Sequence, residues 1–319
     1  MNDWHQRPKA WTGDAAIRPD AALLADIEYS LAALAGGDDA ALLQPRLQAC
    51  RAAIHRMLEQ GSGALAFASP TLRDLPRQAF YRTFQAWCRW LGMPVSINLS
   101  GDTLKEVRDE GVTDSLMAPQ RGHMTNQELA FHSDRADVTC LACWSPAASG
   151  GEFRVVSSSW VAEWIADKHP DLSALLTRPL PHDLRGEGGE DYVQLPILSD
   201  SGAGFVFRYI RKFNESVLRH GIQLPADAVR LLDAADEAVN QPGIAAEVVF
   251  DKGVVALCNN HTTLHSRHAF RDDEAHTRCL LRCWLASEYT RPLPPAFLPL
   301  FHDVRPGVLR GGVRQAATA

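Results

Sequence analysis

Apolar residues recur at helical spacing through the first hundred positions and then give way to short runs with strand character. In Ala21 to Leu34, the residues Leu23, Leu24, Ile27, Leu31 and Leu34 share one stripe, which predicts a helix that stops at Gly36-Gly37. Leu47, Ile54 and Leu58 form a second stripe, predicting a helix from about Leu42 to Leu58 that Gly61-Ser62-Gly63 breaks. Ala64-Leu65-Ala66-Phe67-Ala68 then reads as a short buried strand, and Pro76 to Leu91 as a third helix. The aromatic stripe of that helix (Phe80, Tyr81, Phe84, Trp87, Trp90) belongs to a core rather than to a cofactor.

From Asn126 the pattern changes. Phe131 to Trp144 predicts a bent strand or strand pair, Pro146 to Gly151 a turn, and Glu152 to Val156 another strand. Ser157-Ser158-Ser159 caps an expected helix from about Trp160 to Lys168. Arg185 to Asp191 is Gly-rich and too polar to pack, so it reads as a mobile loop that could serve as a lid around Gly186 to Gly189. Pro225 to Asn240 is amphipathic and closed by Pro242-Gly243; strands at Glu247–Phe250, Val254–Cys258 and Arg278–Ala286 follow. No linker is long enough to divide the chain. The expectation is one mainly β unit with flanking helices, a barrel or sandwich, in which residues 1–95 are mainly helical decoration and a helical insertion spans about 160–245.

Composition narrows the function. At 319 residues with a formal charge of −6, the chain carries no basic footprint for nucleic acid. No apolar run approaches the roughly 20 residues needed to span a bilayer. The start, Met1-Asn2-Asp3-Trp4-His5-Gln6-Arg7-Pro8, lacks the basic-then-apolar layout of a signal peptide, so a cytoplasmic location is expected. The seven cysteines lie in apolar contexts, and Cys140-Leu141-Ala142-Cys143 has no second CxxC, so all are expected to be reduced core thiols.

The chemistry concentrates in two segments. His132-Ser133-Asp134 places an imidazole and a carboxylate two residues apart, which on a strand puts both on one face. A second imidazole from Asn259-Asn260-His261-Thr262-Thr263-Leu264-His265-Ser266-Arg267-His268 would complete a two-His, one-carboxylate site; spacing alone leaves His261, His265 and His268 open. Such a set holds Fe(II) and leaves coordination positions free for ligands. Along Arg278-Cys279-Leu280-Leu281-Arg282-Cys283-Trp284, alternation puts Arg278 and Arg282 on one face of an apolar strand. Two buried guanidiniums need anionic partners, either protein acids such as Asp134 and Glu152 or the carboxylates of a small molecule.

These blocks, with Thr125 to Asp134 and Pro146 to Gly151, resemble in order and spacing the TauD/TfdA-like family of Fe(II)- and 2-oxoglutarate-dependent dioxygenases. The resemblance implies a double-stranded β-helix, or jelly-roll, and a single dioxygenase domain over 1–319. It implies His132, Asp134 and His265 as catalytic iron ligands, because the family histidine stands just before a small-residue-Arg pair. Arg278, thirteen residues beyond His265, matches the arginine that grips 2-oxoglutarate, and Arg282 matches a second arginine serving cosubstrate or substrate. Fe(II), 2-oxoglutarate and O₂ are the implied cofactors, and succinate and CO₂ the implied products. A carboxylate at Asp134 disfavours halogenation, since related halogenases lose it to admit chloride. One position departs from the family: Phe153 stands where many relatives carry a Thr that helps hold 2-oxoglutarate, with Ser157 as a candidate replacement.

The expected reaction is hydroxylation of a C–H bond in a small polar metabolite, such as an amino acid or natural-product intermediate. A small-molecule substrate is the implied partner, with neither nucleic acid nor membrane, and self-association is compatible with the composition. Two other readings fit the same three ligands: a zinc-dependent hydrolase and a catalytically silent jelly-roll binding protein.

Overall fold

The computed structural model describes residues 7–112, 115, 117, 124–187, 190–200 and 204–314. The chain opens with α1 (Ala21–Ala35), N-capped by Asp20, whose carboxylate accepts from the Leu23 amide, and α2 (Pro45–Glu59), which starts on a proline. β1 (Ala64–Ala68) follows, then α3 (Pro70–Asp74), α4 (Arg77–Leu91), β2 (Met93–Val95) and β3 (Leu104–Val107). β4 (Leu129–His132) and β5 (Val138–Ser145) are separated by the loop that carries Asp134. After the short β6 (Ser149–Gly150) come β7 (Phe153–Ser157), α5 (Ser158–Lys168) and α6 (Pro170–Ser173). Ser157 caps α5 by accepting from the Trp160 amide. Two hairpins follow, β8 (Leu180–Asp183) with β9 (Tyr192–Leu195) and β10 (Leu198–Asp200) with β11 (Phe205–Phe207). Then come α7 (Arg211–Glu215), α8 (Ala226–Val239), β12 (Ala246–Val248), β13 (Val254–Asn259), β14 (Thr263–Arg267), β15 (Phe270–Arg271), β16 (Cys279–Ala286) and α9 (Leu298–Phe301).

Two antiparallel sheets face each other. The larger runs β1-β13-β5-β16-β2, with β3 also paired to β16, and the smaller runs β12-β7-β14-β4. Strand alternation sorts their side chains. Cys140, Ala142, Val255, Leu257, Leu281, Cys283 and Leu285 point outward to pack on α1, α2 and α4, where Phe80, Phe84 and Trp87 are fully buried. Leu141, Cys143, Ala256, Cys258 and Leu280 point inward to meet Phe153, Val155 and Val248 of the smaller sheet. Val156 and Leu264, on that sheet's other face, pack under α5 and α8. The result is a jelly-roll sandwich with helices on both outer faces.

The structure corrects the sequence reading in four places. The stretch 160–245 is not wholly helical: β8 to β11 lie within it, short strands whose fully apolar or mixed runs carry no clear alternation. Of the bent strand or strand pair expected over Phe131 to Trp144, the structure has two strands, and they lie in different sheets rather than pairing with each other. Asp134 lies beyond the end of β4, where the chain leaves one sheet for the other, so it does not share a strand face with His132. Ser157, the candidate replacement for the family threonine, caps α5 and is absent from the described lining of the inner cavity. Within the Gly-rich segment, Gly188 and Gly189 lie outside the described residues, as do positions 1–6 of the N-terminus. All seven cysteines are buried and free, and Cys140 and Cys143 face opposite sides of β5, which rules out joint chelation.

Candidate active site

The site forms at one end of the gap between the sheets. His265 sits on β14, flanked by β7 and β4, and pairs directly with His132 across the ladder; the two rings lie 4.3 Å apart. Asp134 closes the group, with Oδ1 3.8 Å from His132 Nε2 and Oδ2 3.5 Å from His265 Nε2. Ligand atoms of all three residues lie within 4.8 Å of one another, the one such cluster among the described residues. His132 Nδ1 contacts the Ala130 carbonyl at 2.8 Å, which assigns the proton to Nδ1 and leaves the Nε2 lone pair facing the cluster.

The other two histidines of the segment are placed elsewhere. His261 Nε2 lies 2.8 Å from Asp137 Oδ1, deep in the core, and His268 is half-buried near Glu247. The choice left open by spacing therefore falls on His265.

The loop between β4 and β5 is braced from several sides. Ser133 donates its amide to the Tyr209 carbonyl, and Arg208 Nη1 donates to the carbonyls of Ser133 and Asp134 at 2.8 and 2.6 Å. Arg208 is buried and its pKa is pushed down to about 9 by desolvation, so the bracing costs charge burial. Burial would raise the Asp134 pKa, but hydrogen bonding to His265 and the charges of His265, Arg282 and His132 hold it well below the usual carboxylate range. Burial also opposes the charged form of His265, yet the neighbouring Cys258 sulfur and Asp134 keep its pKa at about 10. His132 is pushed down to about 3 by burial and by His265 beside it, so it is neutral at ordinary pH. A neutral imidazole and an ionised carboxylate are the forms that ligate metal.

An inner cavity of about 50 Å³ joins the cluster to the arginines; its walls include Thr139, Phe153, Ser266, Arg267, Arg278 and Arg282. Arg278 is 2% exposed, and its Nη1 is buried with no hydrogen-bond partner among the described residues. Its guanidinium stacks on Phe270 at 4.8 Å, and Nη2 donates to the Gly151 carbonyl at 3.4 Å; desolvation pushes its pKa down to about 10. Gly151 has φ +80°, and a Cβ there would come within 3.0 Å of Arg278 Nε, so the glycine makes room for the cation. Phe153 packs its ring 5.4 Å from that of His265 and forms an apolar wall of the inner cavity. A larger cavity of about 300 Å³ shares Leu129, His132, Asp134 and Arg282 with the inner one and is also walled by Glu128, Asp183, Arg185, Arg208, Lys212 and Trp284.

Sequence reasoning did not find Arg267, Thr139, Asn260 or Trp284 as parts of the site. Arg267 donates to the carbonyls of Thr125 and Gln127 and also stacks on Phe270, 5.0 Å from its ring. Asn260, Trp284 and Arg267 lie within the matched blocks, but their roles depend on cross-strand neighbours that spacing does not reveal.

A jelly-roll with a buried His/Asp/His cluster and an inward, under-partnered arginine defines the non-haem iron oxygenase class of site. The profile of the taurine catabolism dioxygenase TauD, TfdA family matches residues 31–284, and the chain belongs to that family. FR-33289 synthase of Streptomyces rubellomurinus (strain ATCC 31215) is 30% identical over 213 residues, covering 64% of this chain. The chain spans 63% of the length of that relative. Among solved structures, asparagine oxygenase in complex with Fe(II), 2S,3S-3-hydroxyasparagine and succinate superposes with TM-score 0.59 at 16% identity, over 84% of this chain and 92% of the other. The non-heme iron oxygenase OrfP with Fe, succinate and (3S)-hydroxy-L-Arg gives TM-score 0.56 at 19% identity, over 84% and 93%. At those identities the likeness is one of fold.

Proposed function

We propose that this protein is an Fe(II)- and 2-oxoglutarate-dependent dioxygenase that hydroxylates a C–H bond of a small polar metabolite. The observation that carries the reading is the buried Arg278, whose Nη1 lacks a protein partner in the same small cavity as the His132/Asp134/His265 cluster. In this reading His132, Asp134 and His265 hold Fe(II), and Arg278 binds the distal carboxylate of 2-oxoglutarate by charge-assisted hydrogen bonds. Arg282, on the wall between the two cavities, serves cosubstrate or substrate. The bound iron and 2-oxoglutarate supply O₂ activation, with succinate and CO₂ as co-products.

The chain's own part is positioning and exclusion. Phe153, Leu280 and Val107 form an apolar part of the wall and keep the inner cavity narrow, which limits water near the metal. The outer cavity offers groups of both signs, which suits a zwitterionic metabolite such as an amino acid or a natural-product intermediate. Shared cores join the N-terminal helices to the larger sheet and α5 and α8 to the smaller one, which supports a single domain over 1–319. No described helix is long and apolar enough to cross a membrane, and the net charge of −6 gives no nucleic-acid footprint. A cytoplasmic protein, with self-association compatible with the surface, completes the reading.

Zinc hydrolysis fits less well, because it gives no role to the buried Arg278 that shares the inner cavity with the cluster, and Asp134 is the one carboxylate on that cavity's described wall. Anaerobic titration tests the proposal. 2-Oxoglutarate should bind the Fe(II)-loaded protein and give a charge-transfer absorption band; no band and no binding would refute it.

A further inference from the structure

We infer that Thr139, Asn260 and Trp284 are positioning residues that present the Asp134 carboxylate to the metal through Oδ1. The inference deepens the iron reading above and rests on it. Oδ2 is already engaged: Thr139 Oγ1 lies 2.7 Å from it and Trp284 Nε1 donates to it at 2.9 Å. Oδ1 takes neither contact and faces His132 at 3.8 Å; Oδ2 lies 3.5 Å from His265 Nε2 but has its hydrogen-bonding capacity taken up by Thr139 and Trp284.

Two donor directions are settled by chemistry. An indole N–H can only donate, so Trp284 requires an acceptor at Oδ2. Asn260 Nδ2 donates to Thr139 Oγ1 at 3.0 Å, which leaves the single hydroxyl proton for Asp134. Asn260 also accepts the Asp134 amide on its Oδ1 at 2.9 Å, so one side chain fixes both the backbone and the carboxylate of the ligand. Thr139 and Trp284 are direct cross-strand partners on β5 and β16, in the middle of the larger sheet. The carboxylate leaves the smaller sheet on a loop, and the rigid opposite sheet holds it.

Metal affinity tests this without reference to turnover. Fe(II) binding is measured anaerobically for the parent, Thr139→Val, Thr139→Ser, Trp284→Phe and Asn260→Ala, with circular dichroism to confirm folding and Co(II) absorption to report ligand geometry. Thr139→Val and Trp284→Phe should each weaken the metal by about tenfold or more, the scale seen when a ligand's outer partner is lost. Thr139→Ser keeps the hydroxyl and should stay within about twofold of the parent. A packing role predicts the reverse order, because valine keeps the shape of threonine and serine does not. Parent-like affinity in Thr139→Val, or serine as weak as valine, overturns the inference. If Thr139→Val fails to fold, Trp284→Phe decides, since phenylalanine keeps an aromatic ring at that position and lacks the N–H. A parent that binds no Fe(II) overturns the iron reading itself, and the inference with it.

Discussion

Replacing Arg278 with methionine removes the guanidinium while keeping much of the side chain's length. In the structure this cation is 2% exposed, and burial brings its pKa from the ordinary 12.5 down to about 10. A displacement of that size corresponds to about 3 kcal/mol of unfavourable charge burial. A cosubstrate carboxylate relieves that cost when it binds, and truncating one partner of a buried charge pair costs about 2–5 kcal/mol. The two routes agree on roughly 3 kcal/mol, which is a loss of about a hundredfold in 2-oxoglutarate affinity. Without cosubstrate the sign reverses, because methionine removes an under-partnered charge: metal-free Arg278→Met should melt at or above the parent's temperature. Anaerobic calorimetry with metal-loaded protein gives the 2-oxoglutarate Kd, a separate Fe(II) titration gives the metal Kd, and thermal melts give the third quantity. A collapse of iron loading with unchanged 2-oxoglutarate affinity would refute the assignment.

Three further outcomes follow from the site and core. His265 is held at about 10 by Cys258 and Asp134 against burial, so metal loading must displace its proton, and Fe(II) affinity should fall about tenfold per pH unit as pH drops. In the metal-free protein that raised pKa stabilises the fold fully below about pH 6.5 and is lost as pH rises through about 10; urea melts across that window check it, and flat metal affinity between about pH 6 and 8 would contradict it. Gly151→Ala strains a backbone at φ +80° and crowds Arg278, so it should raise the 2-oxoglutarate Kd more than the Fe(II) Kd in parallel titrations. Leu281→Ala, at a fully buried position facing α4, should cost about 2–5 kcal/mol in urea unfolding while the folded protein keeps its metal affinity.

Much of this fold could be read from periodicity because its helices are amphipathic and its long strands are bounded by turns. The expected strand at 64–68 is β1 to the residue, and the expected helix at Pro76–Leu91 is α4 with its first residue as the cap. Alternation on β16 correctly separated Arg278 and Arg282 from Leu281, Cys283 and Leu285. The failures have a common cause: they concern what is held by contacts distant in sequence. Asp134 reads as a strand residue, yet it lies on a crossing loop fixed by Arg208, Tyr209 and Asn260, each more than 70 positions away. Strands β8 to β11 are three or four residues long, too short for a period of two to show. His265 rather than His261 lies beside His132 and Asp134 because Asp137 engages His261 in the core from 124 positions away.

Succinate release is the most direct measurement of the iron and 2-oxoglutarate chemistry assigned to this site. Purified protein supplied with Fe(II), 2-oxoglutarate and O₂ should release succinate, and should stop when any one of the three is withheld. His265→Ala should fold, bind no Fe(II) tightly and release none. Succinate formation unaffected by His265→Ala, or parent protein that forms none and instead hydrolyses a substrate with zinc, would contradict the account.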